Sequence, residues 1–176
     1  MKIYSGQGDR GETELGPGVR VRKDDPRLEG VGAVEEANAA VGVVRAFLAD
    51  AWVGEILESV QNHLFALSHA LLGASVEPKP LIRAEDVHQL EAWIDAVAQE
   101  LFPLQNFVIP TGVPAAALLH WARTVVRRAE RRVVALREDG GLEVAMKYLN
   151  RLSDLLFVLA RKLNHEQGIG DIIASF

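Results

Sequence analysis

The sequence has no cysteine, and this absence excludes several kinds of protein at once. Without thiols the chain has no disulfide framework, no thiolate metal site and no cysteine nucleophile. Long apolar runs are missing too, since no stretch reaches the roughly 20 residues that cross a bilayer and no signal-peptide segment follows Met1. We therefore expect a soluble, cytoplasmic protein with no membrane partner.

Positive charge is in deficit as well, with 19 Lys and Arg against 24 Asp and Glu and a net charge of −5. This balance argues against a nucleic-acid partner. The five histidines show neither the H-x-x-x-H nor the H-E-x-x-H spacing of metal ligands. We therefore expect no metal ion held by protein side chains.

Proline is absent after Pro114, whereas seven of the fifteen glycines lie within the first 32 residues. The front of the chain is therefore loop-like and the back is free to form helices. A length of 176 residues suits one domain of roughly 100–200 residues. We predict a single domain, 1–176, in which an irregular glycine-rich leader, 1–28, precedes a helical bundle, 29–176.

In five segments apolar residues recur every three or four positions, the period of an amphipathic helix. These segments are Gly30–Asp50, Gly54–Leu72, Val87–Leu101, Pro114–Arg137 and Leu149–Leu163. Glu77–Pro80 and Gly140–Gly141 carry the expected breaks. No run of alternating apolar and polar residues competes with this pattern. The predicted fold is an all-α, five-helix bundle.

Two segments outside the predicted helices have features of their own. Pro103–Pro114, here named the connector, contains three prolines and no helical period, so we expect it to be extended with an exposed Phe107. Ile169–Phe176, here named the tail, is expected to dock on the bundle or on a neighbouring subunit.

The leader contains glycines at the spacing G-x-G-x-x-G, in the sequence Ser5-Gly6-Gln7-Gly8-Asp9-Arg10-Gly11-Glu12-Thr13. It is not a Rossmann motif, because no strand precedes it, no helix opens at its end and no parallel sheet follows. It is not a Walker A loop either, since G-x-x-x-x-G-K-[ST] is absent. Two readings remain open, a backbone cradle for an anion helped by Ser5, Arg10 and Thr13, or a flexible terminus.

The fourth predicted helix carries a cluster of arginines. Four charged residues share one side of it, namely Arg123, Arg127, Glu130 and Arg131, while Arg128 and Arg132 lie elsewhere on the helix. The cluster is either a solvated face with weak Arg–Glu pairs or a site for an anion. Because arginine outnumbers acid heavily here, carboxylates from elsewhere or a phosphate-rich ligand would relieve the repulsion.

On the fifth predicted helix, Asn150, Ser153 and Asp154 border an otherwise leucine-rich stripe and are flanked by Arg151 and Arg161. Such residues are either the polar edge of the stripe or part of a site.

Three segments, taken in order, resemble one known family. They are Met1–Pro26 with Gly8-Asp9-Arg10-Gly11 and Lys23-Asp24-Asp25-Pro26, then Phe107–Pro110 followed by Ala122–Arg132, and last Leu149–Asp154. The family is that of the PduO-type ATP:cob(I)alamin adenosyltransferases. The resemblance extends over nearly the whole chain.

The resemblance implies a homotrimer with active sites between subunits, where ATP donates its adenosyl group to the cobalt of reduced cobalamin and leaves as triphosphate. It implies that Arg127 is catalytic, together with Arg123 and Glu130. Phe107 would lie over the lower face of the corrin, with Asp154 also at the cobalamin. The implied ATP-binding residues are Ser5, Gly6, Gln7, Gly8, Asp9, Arg10, Thr13, Lys23, Arg127, Arg128, Glu130, Arg131 and Asn150.

The same resemblance implies that Glu35 pairs with Arg123 across the subunit boundary. Magnesium is expected on ATP phosphate oxygens, and cobalamin is expected as substrate. The implied protein partners are a cobalamin reductase or a cobalamin-dependent acceptor enzyme.

The leader departs from the family pattern, because Gly6 and Arg10 stand where the family usually has lysines. Glu35 also replaces a usual aspartate. These departures motivate an alternative, a homologue without catalysis that binds or carries cobalamin or nucleotide. A third reading is an unrelated helical oligomer with an arginine-rich interface.

Overall fold

The computed structural model describes residues 2–16, 18–72, 82–104, 106–136 and 142–175. Within them a two-stranded hairpin precedes five helices, which confirms the predicted all-α bundle. The elements are β1 (Glu12–Gly16), β2 (Val19–Arg22), α1 (Pro26–Ala46), α2 (Ala51–Leu71), α3 (Ala84–Ala98), α4 (Pro114–Val134) and α5 (Glu143–Glu166). None of the helices in these residues is both long and apolar enough to traverse a bilayer.

Helix α4 is central to the bundle, since it packs against both α1 and α5. Helix α2 packs on α1, and α3 packs on α5. The core between them contains fully buried side chains from the predicted stripes, among them Val34, Leu57, Leu64, Val133, Leu152 and Leu156. On α4, Leu119 is fully buried, whereas the predicted Leu118 is only partly buried. Each buried leucine contributes roughly 1.5–3 kcal/mol, so the long apolar stripe of α5 fixes the position of the polar residues along its edge.

The first helix begins earlier than the sequence pattern predicts, at Pro26 rather than Gly30, and ends at Ala46 rather than Asp50. Its start is set by capping, because the Asp25 carboxylate accepts a hydrogen bond from the Arg27 amide at 2.9 Å and a proline occupies the first helical position. Asp50 is not the end of α1 but the N-cap of α2, where it accepts from the Val53 amide at 2.9 Å.

The other helices also differ from their predicted bounds. Helix α4 ends at Val134 instead of Arg137, which lies outside the described residues, and α5 begins at Glu143 instead of Leu149. The predicted breaks at Glu77–Pro80 and Gly140–Gly141 also lie outside the described residues.

The leader is not wholly irregular, which corrects the sequence prediction. Strands β1 and β2 form an antiparallel hairpin in which Thr13 is opposite Val21 and Glu12 is opposite Arg22. The alternating residues Val19–Arg22 carry the strand signal, but four residues are too short to stand out against five long helical patterns.

Among its described residues the connector forms no helix before Pro114, and the tail docks on it. Val108 and Ile173 form an isolated antiparallel bridge. The Ile109 amide donates to the Ile172 carbonyl at 2.8 Å, and the Ala174 amide donates to the Phe107 carbonyl at 2.9 Å. The tail therefore fixes the backbone from the Phe107 carbonyl to Ile109, and Phe107 itself is 76% exposed.

Candidate functional site between α4 and α5

The facing edges of α4 and α5 bring two of the predicted polar groups together. Asn150 on α5 donates from Nδ2 to Oε1 of Glu130 on α4 at 3.1 Å. Arg151 in turn donates from Nη1 to Asn150 Oδ1 at 3.0 Å. The side-chain amide of Asn150 is therefore oriented from both sides, and the two helices are joined at a polar point beside the buried core.

Arg123 lies about two turns before Glu130 on the same side of α4. Its guanidinium is over the Phe157 ring at 6.0 Å from the centroid, and its Nε is buried without a hydrogen-bond partner. Burial is the largest cause of the lowered pKa of Arg123, and the positive charge of the nearby Arg127 is the second. The negative charge of Asp154 opposes the shift. The positive charges of Arg123 and Arg127 thus repel one another, and a nearby anion would reduce this repulsion.

Arg123, Arg127 and Glu130 on one side of α4, together with Asn150 on α5, are here named the groove. The other residues of the arginine cluster do not all belong to it. Arg128 forms an ion pair with Glu36, and Arg132 pairs with Glu29 at 3.1 Å, so both of these arginines contact α1. Arg131 donates from Nη1 to the Arg127 carbonyl at 3.0 Å. Arg127 is exposed, and within the described residues neither it nor Arg123 forms an ion pair with a carboxylate.

The two readings of the arginine cluster therefore apply to different residues. Arg128 and Arg132 lie on a solvated face and pair with α1, and the expected ATP contact of Arg128 stays a prediction. Arg123 and Arg127 lie on the groove side with Glu130, as their helical spacing requires. The structure thus separates Arg128 and Arg132, which pair with carboxylates of α1, from Arg123 and Arg127, which form no ion pair among the described residues.

Several groove residues were not predicted as site members. Glu91 on α3 accepts from Arg151 Nε at 2.9 Å, and this hydrogen bond is the main cause of the lowered pKa of the Glu91 carboxyl, followed by the bond from His88. Arg151 thereby links α3 to Asn150. Phe157 and the buried His120 lie next to one another, with ring centroids 5.9 Å apart. The apolar pattern of the sequence does not predict the contacts of Phe157 with His120 and Arg123, because both depend on how α4 packs on α5.

The glycine-rich segment of the leader folds into consecutive turns. The Asp9 amide donates to the Gly6 carbonyl at 3.3 Å, and the Gly11 amide donates to the Gly8 carbonyl at 3.2 Å. Gly6 and Gly11 have φ values of +73° and +79°, a conformation in which glycine avoids strain. Other residues at Gly6 and Gly11 would be strained in these turns, whereas the expected contact of the glycines with ATP stays a prediction.

Lys23 closes over these turns from the end of β2. Its amide donates to the Gly11 carbonyl at 2.8 Å, and a Cβ at Gly8 would stand only 3.1 Å from Lys23 Nζ. Arg20 Nη2 donates to the Gln7 carbonyl at 3.0 Å. The structure therefore brings Gly8 and Lys23, which are distant in sequence, close together.

The remaining predicted leader residues surround the same turns. Ser5 Oγ accepts weakly from the Gln7 amide at 3.4 Å, and Thr13 lies in β1. Arg10 is exposed at the tip. Across the described residues, no hydrogen bond or ion pair joins Ser5–Thr13 to the α4 arginines. Leader and groove are therefore two separate groups within one chain.

Two further predicted site residues, Glu35 and Asp154, lie exposed on the helix surfaces. Glu35 is exposed on α1 and forms no hydrogen bond or ion pair among the described residues, Arg123 included. Asp154 is exposed on α5, one turn after Asn150, and its charge acts on Arg123. Elsewhere in the described chain no group of three or more His, Asp or Glu side chains could hold a metal ion.

Residues 3–163 match the family model described as cobalamin adenosyltransferase. The chain is 41% identical to the corrinoid adenosyltransferase PduO of Salmonella typhimurium over 98% of its own length, but it spans only about half, 53%, of that relative. The corrinoid adenosyltransferase of Bacillus subtilis is 40% identical, with 98% of this chain and 91% of that protein covered.

Solved structures agree with these relatives. A variant PduO-type ATP:corrinoid adenosyltransferase from Lactobacillus reuteri complexed with cobalamin and ATP superposes with a TM-score of 0.90 at 31% identity, covering 98% of this chain and 96% of that one. A second variant of that enzyme complexed with ATP gives the same TM-score and identity, with 98% and 100% covered. With its groove, its leader turns and these matches, the chain belongs to the cobalamin adenosyltransferase family.

Proposed function

We propose that this protein transfers the 5′-deoxyadenosyl group of ATP to the cobalt of reduced cobalamin, giving adenosylcobalamin and triphosphate. The observation that carries the proposal is Arg127, an exposed arginine that forms no ion pair among the described residues and lies on the same side of α4 as the Glu130–Asn150 hydrogen bond. An unpaired cation on a rigid helix fits a ligand with several negative charges.

The bonds and charges of this reaction balance without a protein nucleophile. The reduced cobalt attacks C5′ of ATP with its own electron pair, the cobalt–carbon bond forms and the C5′–O bond breaks. The electron pair of the broken bond leaves on the triphosphate oxygen. Negative charge therefore builds up on triphosphate, and cations that bind it more strongly in the transition state accelerate the step.

Residue roles follow from the geometry of the groove and the leader. Arg127 binds the leaving phosphates, supported by Arg131, Arg10 and Lys23. Asn150 and Glu130 orient the nucleotide through their shared hydrogen bond. The leader turns supply backbone N–H groups to the phosphates, with contributions from Ser5, Gly6, Gln7, Gly8, Asp9 and Thr13. Magnesium accompanies ATP on its phosphate oxygens.

Phe107 acts on the corrin instead of the nucleotide. Its exposed side chain, fixed backbone and place near the tail support a role against the lower face of cobalamin, where it displaces the axial base. A cobalt without that ligand is more easily reduced to the nucleophilic state. Asp154 lies on the same side of α5 as Asn150 and contributes to cobalamin binding.

The active site is assembled between subunits of a homotrimer. This proposal is supported by the separation of leader and groove within one chain and by Glu35, which has no partner among the described residues. Glu35 of one subunit then pairs with Arg123 of the next. The reductant and the acceptor of the product are a cobalamin reductase and a cobalamin-dependent enzyme, all in the cytoplasm.

A second candidate is a carrier of cobalamin or nucleotide without catalysis, favoured by the loss of a usual lysine at Gly6. Two measurements separate it from the enzyme. Calorimetry measures ATP and cobalamin binding, and incubation with ATP and chemically reduced cobalamin measures the yield of adenosylcobalamin. Binding with product supports the enzyme, binding of either ligand without product supports the carrier, and the absence of both ATP and cobalamin binding contradicts both.

A further inference from the structure

Arg161 on α5 holds both the connector and the tail from inside the protein. The residue is only 7% exposed. Its Nε and Nη2 donate to the Asp171 carboxylate at 3.0 and 2.7 Å, and Nη2 also donates to the Phe102 carbonyl at 2.7 Å. One guanidinium therefore links the beginning of the tail to the residue directly before the connector.

Asn164, one turn further along α5, holds the other end of the connector. Its Nδ2 donates to the Thr111 carbonyl at 2.9 Å, and its Oδ1 accepts from the Val113 amide at 3.0 Å. Gly112, between these two residues, has a φ of +120°, and a Cβ there would collide with the Asn164 side chain. Only glycine allows this close approach without displacing Asn164.

Between these two anchors, the tail pairs with the middle of the connector. The pairing flanks Val108, the residue after Phe107, because the Phe107 carbonyl accepts from the Ala174 amide and the Ile109 amide donates to the Ile172 carbonyl. The tail thus holds the backbone from the Phe107 carbonyl to Ile109, and the Arg161–Asp171 ion pair anchors the tail to α5. A bidentate pair with a buried guanidinium is a strong and directional anchor.

From these contacts we infer that Arg161, Asp171 and Asn164 are positioning residues for Phe107. They set the place of its ring relative to the bound corrin without touching the substrate. The inference rests on the proposed function for its catalytic consequence, but its structural part stands independently. Because ring placement affects reaction geometry and not ATP affinity, loosening the anchor should lower kcat and leave the KM for ATP unchanged.

The structural part is tested by amide hydrogen exchange of the ligand-free protein, followed by NMR. In Asp171→Asn, which keeps the side-chain shape, and in Asp171→Ala, we expect the Ile109 and Ala174 amides to exchange about tenfold faster or more, as local opening becomes easier. The matched control is Glu100→Gln, which removes a carboxylate bound to the neighbouring Lys162 at 2.9 Å without touching the connector. Unchanged exchange at Ile109 in both Asp171 variants contradicts the inference.

The catalytic part is tested with ATP and cobalamin under saturating conditions. We expect the Asp171 and Asn164→Ala variants to lower kcat at least several-fold and to weaken the absorbance change that reports loss of the axial base from bound cob(II)alamin. Asp171→Glu should restore part of both signals, and Glu100→Gln should match the parent. Faster exchange with an unaltered kcat and spectrum contradicts the positioning role.

Failure of the proposed function has a different signature. If the parent protein binds ATP but yields no adenosylcobalamin, the proposed function fails. The exchange rates of Ile109 and Ala174 then still decide whether Arg161 and Asp171 hold the connector.

Discussion

Asn150 and Glu130 are joined by a hydrogen bond of 3.1 Å that crosses the interface between α5 and α4. The two residues are twenty positions apart and were both predicted as nucleotide contacts. Their bond means that neither acts alone, because removing one leaves the other without its orienting partner. Arg151, which donates to the other end of the Asn150 amide, extends the same unit to Glu91.

A double-mutant cycle tests whether this pair acts as a unit. We expect Asn150→Ala and Glu130→Ala each to lower kcat/KM for ATP by about tenfold or more, and the double variant to lose much less than the product of the two effects. Steady-state kinetics on the four proteins measures the coupling. Fully additive losses would show that the two side chains contact the nucleotide independently.

Arg127→Lys tests the role of a bidentate cation. Lysine keeps the charge but lacks the planar fork that grips two phosphate oxygens, so we expect kcat to fall about 10- to 100-fold with little change in the free energy of unfolding. Kinetics and urea unfolding are measured together. The matched control is Arg132→Lys on the same helix, which alters only the exposed pair with Glu29.

Equal kcat values in Arg127→Lys and the parent would remove Arg127 from the mechanism. A loss of the same size in Arg132→Lys would indicate a general effect of the cluster instead of a phosphate contact.

The sequence predicted much of this architecture because the apolar stripes are long and regular. Leu152, Leu156 and Leu159 repeat at helical spacing, and all three are fully buried. The same helical spacing predicts that Arg123, Arg127 and Glu130 lie on one side of a helix. Arrangements that depend on one helix alone are therefore readable from the sequence.

Contacts between distant segments were not predictable in this way. Arg151 and Glu91 are sixty positions apart, and their bond depends on how α3 packs on α5. Likewise, the pair between Arg128 and Glu36 joins two different helices, so the spacing along α4 alone does not predict it. The sequence does not predict the hairpin Glu12–Arg22, because strands of five and four residues give too short an alternating pattern.

Gly112→Ala tests the close contact between the connector and α5. The added methyl group meets Asn164, and the backbone has a φ of +120°, so we expect a loss of about 1–3 kcal/mol in the free energy of unfolding. Gly32→Ala in α1 is the control, since nothing lies within 4 Å of its added Cβ and alanine favours a helix by about 0.5–1 kcal/mol. The two variants should therefore shift stability in opposite directions, as measured by urea unfolding, and equal shifts would contradict the contact.

The buried His120 gives stability a specific pH dependence. Burial is the main cause of its lowered pKa, the Arg123 charge adds to the shift, and Asp171 opposes it. The folded protein therefore binds fewer protons than the unfolded chain as pH falls below the ordinary histidine pKa of about 6.5. The free energy of unfolding should then decrease by up to about 1.4 kcal/mol per pH unit from this group.

Urea unfolding at pH 7.5 and 5.5 measures this contribution. His120→Gln should lose less stability between these two pH values than the parent does. His165→Gln, which alters an exposed histidine, should keep the parent's pH dependence. If His120→Gln and the parent lose stability equally, His120 is not the group responsible.

The products formed from ATP and chemically reduced cobalamin test the central claim most directly. In a single turnover, the account predicts one triphosphate released for each adenosylcobalamin formed, because the C5′–O bond of ATP is the bond that breaks. Anion chromatography and the visible spectrum quantify the two products in the same sample. Release of phosphate or pyrophosphate without adenosylcobalamin, or no product from protein saturated with both substrates, would contradict the account.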